Sequence, residues 1–315
     1  MSNRQLIEKA DLALDTIRDG GGLLEPEKAK KFIREMIQSA DLMKQVTVLP
    51  MRSHTHRIPR LGLNTRIMRR GTSATALNNE EDRSNTTHGF VELSAKLLKG
   101  EIRIPDEIVE DNIERGNFTN LVMQMARERV AADLEDLVIR GDTDSADEYL
   151  ATLDGILKLA TLHVVDFGGD HINRQNLTLM HRAIPTAYRS LKSQMKFFTS
   201  HNAEEDFRLL FEDRETEMAD RLQSSAPMIK HHGTPVVPIG LFPEDLGVGE
   251  DETKVLLTVP KNIVVGFHRG VKFEVDRDVR HGFVSIVITC RMDVNFSDPN
   301  AVVVGESVAS QGFAA

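Results

Sequence analysis

The run DTDSADE at 142–148 is the stretch most suggestive of ligand chemistry, because alternate oxygen ligands are what a calcium loop needs. The pattern fails at two positions. Its sixth residue must be glycine and is Asp147; its closing glutamate would be Leu153. His54 and His56 flank Thr55 and would share one face of a strand, but no third ligand is spaced nearby. His231 and His232 would point to opposite sides of an extended chain, which suits a loop role. Asp206, Glu212, Asp213, Glu215 and Glu217 crowd one predicted helix and read as a solvated face. Gly20, Gly21 and Gly22 are not followed by Gly-Lys-Ser/Thr and read as a hinge. Cys290 sits in an apolar strand and reads as core rather than nucleophile. No hydrolase, dinucleotide or metalloprotease motif occurs. The expectation is no catalytic, cofactor or metal site, and no cofactor.

Charge is more informative. The 315 residues carry a net charge of −9, which argues against a dedicated nucleic-acid binder. Trp is absent and only 2 Tyr are present, so stacking platforms for bases or sugars are not indicated. A single cysteine excludes an intrachain disulfide. No apolar run is long enough for a bilayer helix, and the N-terminus lacks signal-peptide order, so no membrane partner is expected and the chain should stay where it is made. Within the chain the charge is polarised. Arg52, Arg57, Arg60, Arg66, Arg69 and Arg70 form a basic segment with His54 and His56, and no acid interrupts it. From Glu101 to Glu148 carboxylates dominate. Arginine's planar fork suits bidentate pairing with carboxylates, so the six arginines are candidates for contact within the chain or between copies.

The elements that must position these residues follow from periodicity. Residues 3–19 and 26–45 read as amphipathic helices. Residues 46–104 read as extended: LGLNTRIMRR and GFVELSAKLLKGEIRI flank a polar, turn-rich tip, forming a long two-stranded arm too poor in apolar residues to make its own core. Residues 105–140 read as one helix of about 50 Å, ended by Gly141 and interrupted at Gly116. Helix is expected over 172–192 and from Glu204 to Gln223. Strands are expected at MKFFTS, GTPVVPIG and TKVLLTVPKNIVVGF, and an antiparallel pair, VKFEVDRDV with GFVSIVITCRMDVNF, closes the chain. The mixture without a βαβ repeat gives an α+β class.

That order of elements, together with DLVIRGDTDSADEYLATLDGIL, HHGTPVVPIGLFP and VKFEVDRDVRHGFVSIVITCRMDVNFSDPNAVV, resembles the major capsid proteins of tailed bacteriophages, the Hong Kong-type capsid fold. The resemblance covers nearly all the chain after residue 45. It implies an N-terminal arm over 1–49 and an extended β-hairpin loop over 50–104. A peripheral domain would hold the long spine helix over 105–171 and closing strands over 269–296. An axial domain would span 172–268, and a C-terminal segment 297–315. It implies self-assembly as pentamers and hexamers into an icosahedral shell around double-stranded DNA, without sequence-specific DNA binding. Separate scaffolding and portal proteins, and a cement protein, would be partners. The virion would be its location after assembly in the host cytoplasm. Gly116 becomes a bend point for shell expansion, or a tolerated packing glycine. Some relatives crosslink a loop lysine to an asparagine with a glutamate as catalyst. Those last two positions align with Val284 and Arg291, and Lys96 and Lys99 lie at the arm's base, so no crosslink is expected.

Three other readings stay open. One is an encapsulin-type nanocompartment of the same fold. Another is an enzyme built on residues 150–268, and the third is a nucleic-acid-binding arm using Arg52–Arg70.

Overall fold

A computed structural model describes residues 40–62, 87–107, 118–212, 228–247, 249 and 251–310. The strands, in chain order, are β1 (Thr47–Pro50), β2 (Thr55–Gly62), β3 (Thr87–Ser94), β4 (Lys96–Pro105), β5 (Val164–Asp166), β6 (Lys196–Thr199), β7 (Lys230–His231), β8 (Thr234–Pro238), β9 (Glu252–Thr258), β10 (Ile263–Asp278), β11 (Phe283–Phe296) and β12 (Val302–Ala309). The α-helices are α1 (Phe118–Arg140), α2 (Ile156–Leu159), α3 (Arg174–Ala183) and α4 (His201–Glu212). They build a four-stranded sheet in the order β1-β10-β11-β4, a six-stranded sheet in the order β5-β12-β9-β6-β8-β7, and the ribbon β2-β3. This is the expected α+β class.

The four-stranded sheet is amphipathic by alternation. Ile286, Ile288, Cys290, Met292, Val294 and Phe296 of β11 face inward. Against their distal part pack Val122, Met123 and Val130 of α1, with Ile104 and Phe273. Towards its C-terminus α1 is buried nearly all round, with Leu137, Val138 and Ile139 fully enclosed, because both sheets and α2 meet there. Gly141 ends the helix by donating to the Leu137 carbonyl at 3.0 Å. A Cβ at Gly141 would lie 2.5 Å from the Leu153 carbonyl, and one at Gly155 would lie 2.7 Å from the Gly141 nitrogen. The two glycines let the chain fold back on itself, and Gly155 donates to the Gly141 carbonyl at 2.7 Å. A second core lies between the six-stranded sheet and α3 and α4, around Phe197, Phe207, Leu177, Met180 and Val303.

Several expectations change. The strand expected over 89–104 divides at Ala95: β3 pairs with β2, whereas β4 pairs with β11. The helix expected from residue 105 begins one residue later: β4 runs to Pro105, Asp106 and Glu107 are helical, and the next described helix is Phe118–Arg140; Gly116 lies outside the described residues. The helix expected over 172–192 stops at Ala183, because Ile184 precedes Pro185 and is extended; Thr186–Gln194 continues as 3-10 helix. The segments expected apart at 253–267 and 271–279 regroup, with a break at Pro260 and then one strand, β10. β12, a strand not named among the expected elements, falls within the segment 297–315 and lies second in the larger sheet, between β5 and β9. No described helix is long and apolar enough to cross a membrane.

Candidate assembly surfaces

The ribbon is rooted in its own chain. Ser94 N–H donates to the Asp293 carboxylate at 2.5 Å, Asn295 Nδ2 donates to the Glu92 carbonyl at 3.2 Å, and Ala95 N–H donates to the His54 carbonyl at 2.9 Å. Met51, Leu93 and Ala95 bury themselves against Val264. A Cβ at Gly266 would lie 2.6 Å from Met51 Sδ, so the sheet carries no side chain where the ribbon crosses it.

The candidate arginines separate. Arg57 pairs with Glu92 at 3.0 Å across the ribbon and covers the exposed Phe90 ring at 4.7 Å. Arg60 pairs with Asp298 at 2.5 Å. Asp298 is a node: its other oxygen accepts from Tyr188 Oη, and its carbonyl accepts from Asn262 Nδ2. Arg52 is exposed and has no acid partner among the described residues. Arg66, Arg69 and Arg70 lie outside the described residues. The residues aligned with crosslinking positions are on the four-stranded sheet, Val284 opposite Ile104 and Arg291 opposite Arg269 and Leu97, with Lys96 and Lys99 on β4.

The calcium-like loop holds a lysine. Lys158 Nζ lies 2.5 Å from Asp142, 2.7 Å from Asp144 and 2.9 Å from Asp154. The hydrogen bonds to Asp142 and Asp144 raise the basicity of Lys158, and its ammonium in turn holds Asp142 below the usual carboxylate range. It braces the turn after α1 as a bound cation would. Among the described residues no group of three or more His, Cys, Asp or Glu side chains is arranged to hold a metal ion.

At the start of the described chain, the N–H groups of Asp41 and Met43 donate to Glu135 at 3.1 and 2.8 Å. Leu42 between them is fully buried. Burial raises the Glu135 carboxyl above its ordinary value against those hydrogen bonds. Sequence reasoning missed this latch; its one signal is a carboxylate amid the apolar residues of α1.

Two chemical candidates also move. Asp206, expected on a solvated face, is buried and bonded to His171 Nδ1 at 2.9 Å. His231, expected in a loop, is buried in β7, with its ring centroid 6.0 Å from that of His181. Burial lowers both rings to about 4. His232 (φ 47°) and Gly233 (φ 88°) make the tight turn that follows. Cys290 is buried as expected, and burial pushes its thiol up to about 11, far from a reactive thiolate.

The fold has counterparts among known proteins. The Bacillus subtilis (strain 168) protein YqbE, which carries the name of a prophage capsid protein, is 35% identical over 306 residues, covering 96% of this chain and 97% of its own. The capsid of a native GTA particle has the same fold at 13% identity, with a TM-score of 0.67 over 92% of this chain and 97% of that one. The SrpI encapsulin of Synechococcus elongatus PCC 7942 shares it at 12% identity, with a TM-score of 0.62 over 95% and 97%. The model of the phage capsid family matches residues 20–307, and the chain belongs to that family of structural capsid proteins.

Proposed function

We propose that this chain is the major subunit of a tailed-phage head, self-assembling through pentamers and hexamers into an icosahedral shell around double-stranded DNA. The observation that carries this is the rooted ribbon. It is fixed at its base in its own subunit, yet it bears exposed Phe90 and Arg57 and has no core of its own. Such an arm gains its stability by lying on something else, and a second copy supplies that surface. In this reading residues 1–49 are an arm latched by Glu135, and 50–104 the extended loop. The two sheets correspond to the peripheral and axial domains. Arg57 and Arg60 work at the loop's root, while Arg52, Arg66, Arg69 and Arg70 reach the neighbour's carboxylates on its helix side. Gly116 serves as a bend. The chain performs no catalysis, and the shell is held without covalent crosslinks. Scaffolding, portal and cement proteins assist it, and assembly occurs in the host cytoplasm.

The encapsulin-type reading has one observation in its favour, the shared fold at a TM-score of 0.62. The prophage relative at 35% identity over nearly both full lengths favours the phage head. Size exclusion and negative-stain microscopy of the chain, expressed alone and with a scaffolding protein, test the proposal. Shells, rings or sheets support it. A monomer under both conditions overturns it and returns an enzyme on residues 150–268 to consideration.

A further inference from the structure

The outer face of the four-stranded sheet, away from α1, collects cations. Register places Arg269 directly opposite Arg291, and Lys272 and Lys99 on either side of Thr289. Two irregularities in β10 produce this. One extra residue lies between Phe267 and Arg269, and another between Arg269 and Lys272, where β11 advances by fewer residues. Without the second bulge Arg269 and Lys272 would point to opposite faces; with it they share one. Like charges set directly opposite on neighbouring strands are destabilising. Arg269, Lys272 and Lys99 are exposed, and none of the four cations has an acid partner among the described residues. Arg291 Nε is buried with nothing to donate to. The next carboxylates outward are Glu274 and Glu101, and Glu101 is already bound by Arg103 and Ser285. A sheet that spends stability on gathering unpaired donors is shaped for an anionic partner.

The same chain carries a matching knob on the other side. Asp147 and Glu148 are exposed beyond the end of α1 and have no basic partner among the described residues. They are held firmly: Lys158 braces the loop before them, and after them Tyr149 donates to the Asp133 carbonyl at 2.6 Å. Tyr149 and Leu150 pack into the core that contains Cys290 and Met292, on the inward face of β11. Arg291 lies on the outward face. Knob and patch therefore lie on opposite sides of one sheet and cannot meet within a subunit.

We infer that the Asp147–Glu148 knob of one copy docks on the Arg269–Arg291–Lys272–Lys99 patch of the next. The contact is heterologous, head to tail, the kind that closes into rings or extends into lattices. It rests on the self-assembly reading above and adds which surfaces meet.

The test uses the full chain with its scaffolding protein, in four forms: wild type, R269E/K272E, D147K/E148K, and the combined charge swap. Folding is checked by circular dichroism and denaturation of unassembled subunits. Both reversals should abolish particles, or raise the subunit concentration needed for them by about tenfold or more, and the combined swap should restore them. If a reversal does not fold, subunits carrying Lys272→Cys are mixed with subunits carrying Glu148→Cys and oxidised after assembly. An intersubunit disulfide should appear, against a low background because native Cys290 is buried. Wild-type assembly by both reversals, no rescue by the swap, or no disulfide overturns the pairing while leaving the shell reading intact. Shells that form normally but lose their DNA on patch reversal overturn it in favour of a nucleic-acid partner. No particles from wild type overturns the shell reading and the pairing together.

Discussion

Arg60, on the ribbon, and Asp298, just ahead of the last strand, form an ion pair at 2.5 Å across 238 residues of sequence. Because the same carboxylate takes the Tyr188 hydroxyl, one acid ties the ribbon, the 3-10 segment and the C-terminal strand together. Asp298→Ala should destabilise the unassembled subunit by about 1–3 kcal/mol, since it leaves half-buried donors unpaired. Urea unfolding reads the loss. Limited proteolysis should find faster cleavage between residues 51 and 62 in the variant.

The Glu135 latch predicts a graded series. Glu135→Ala orphans the N–H groups of Asp41 and Met43 and opens space in the core, costing about 2–4 kcal/mol. Glu135→Gln keeps an acceptor and should cost clearly less. Equal losses in a denaturant titration would contradict the hydrogen-bonding role.

The glycine pair predicts a steric penalty. Gly155→Ala drives a methyl to 2.7 Å from backbone nitrogen and carbonyl oxygen, which no side-chain motion relieves. The expected loss is about 2–3 kcal/mol, read as a lower urea midpoint. Gly168→Ala is a contrasting control, because its Cβ meets nothing within 4 Å; its φ of 66° alone sets the cost.

Buried His231 and half-buried His181 predict a pH dependence. His181 and His231 titrate at about 4 in the fold and near 6.5 when unfolded, so the unfolded chain binds more protons between those values. Stability of the unassembled subunit is full above about pH 6.5 and falls as pH drops towards 4. His181→Phe should flatten that fall. A variant whose urea midpoint tracks pH as the wild type's does would remove the histidines as its cause.

Much of this was legible because its signals are local. The inward alternation of β11, the stop at Gly141 and the apolar burial of Cys290 all follow from neighbouring residues. What failed depended on distance or one backbone detail. Pro185 ends α3 through the residue before it. β12 does not stand out as a strand, because what organises it is pairing with β9 and β5, both distant in sequence. Asp206 looked solvated until His171 covered it. Of the arginines, Arg57 and Arg60 found acids whose proximity no spacing rule reveals. The cations on β10 and β11 escaped notice because two bulges, invisible in sequence, bring them to one face.

The most direct measurement is a subunit-resolution cryo-EM reconstruction of particles formed by this chain, expressed alone or with a candidate scaffolding protein. The account predicts closed shells of pentamers and hexamers, with the β2–β3 ribbon of each subunit lying on a neighbour while its root stays pinned at Asp298. Particles in which the ribbon folds back on its own subunit, or no particles at all, would contradict it.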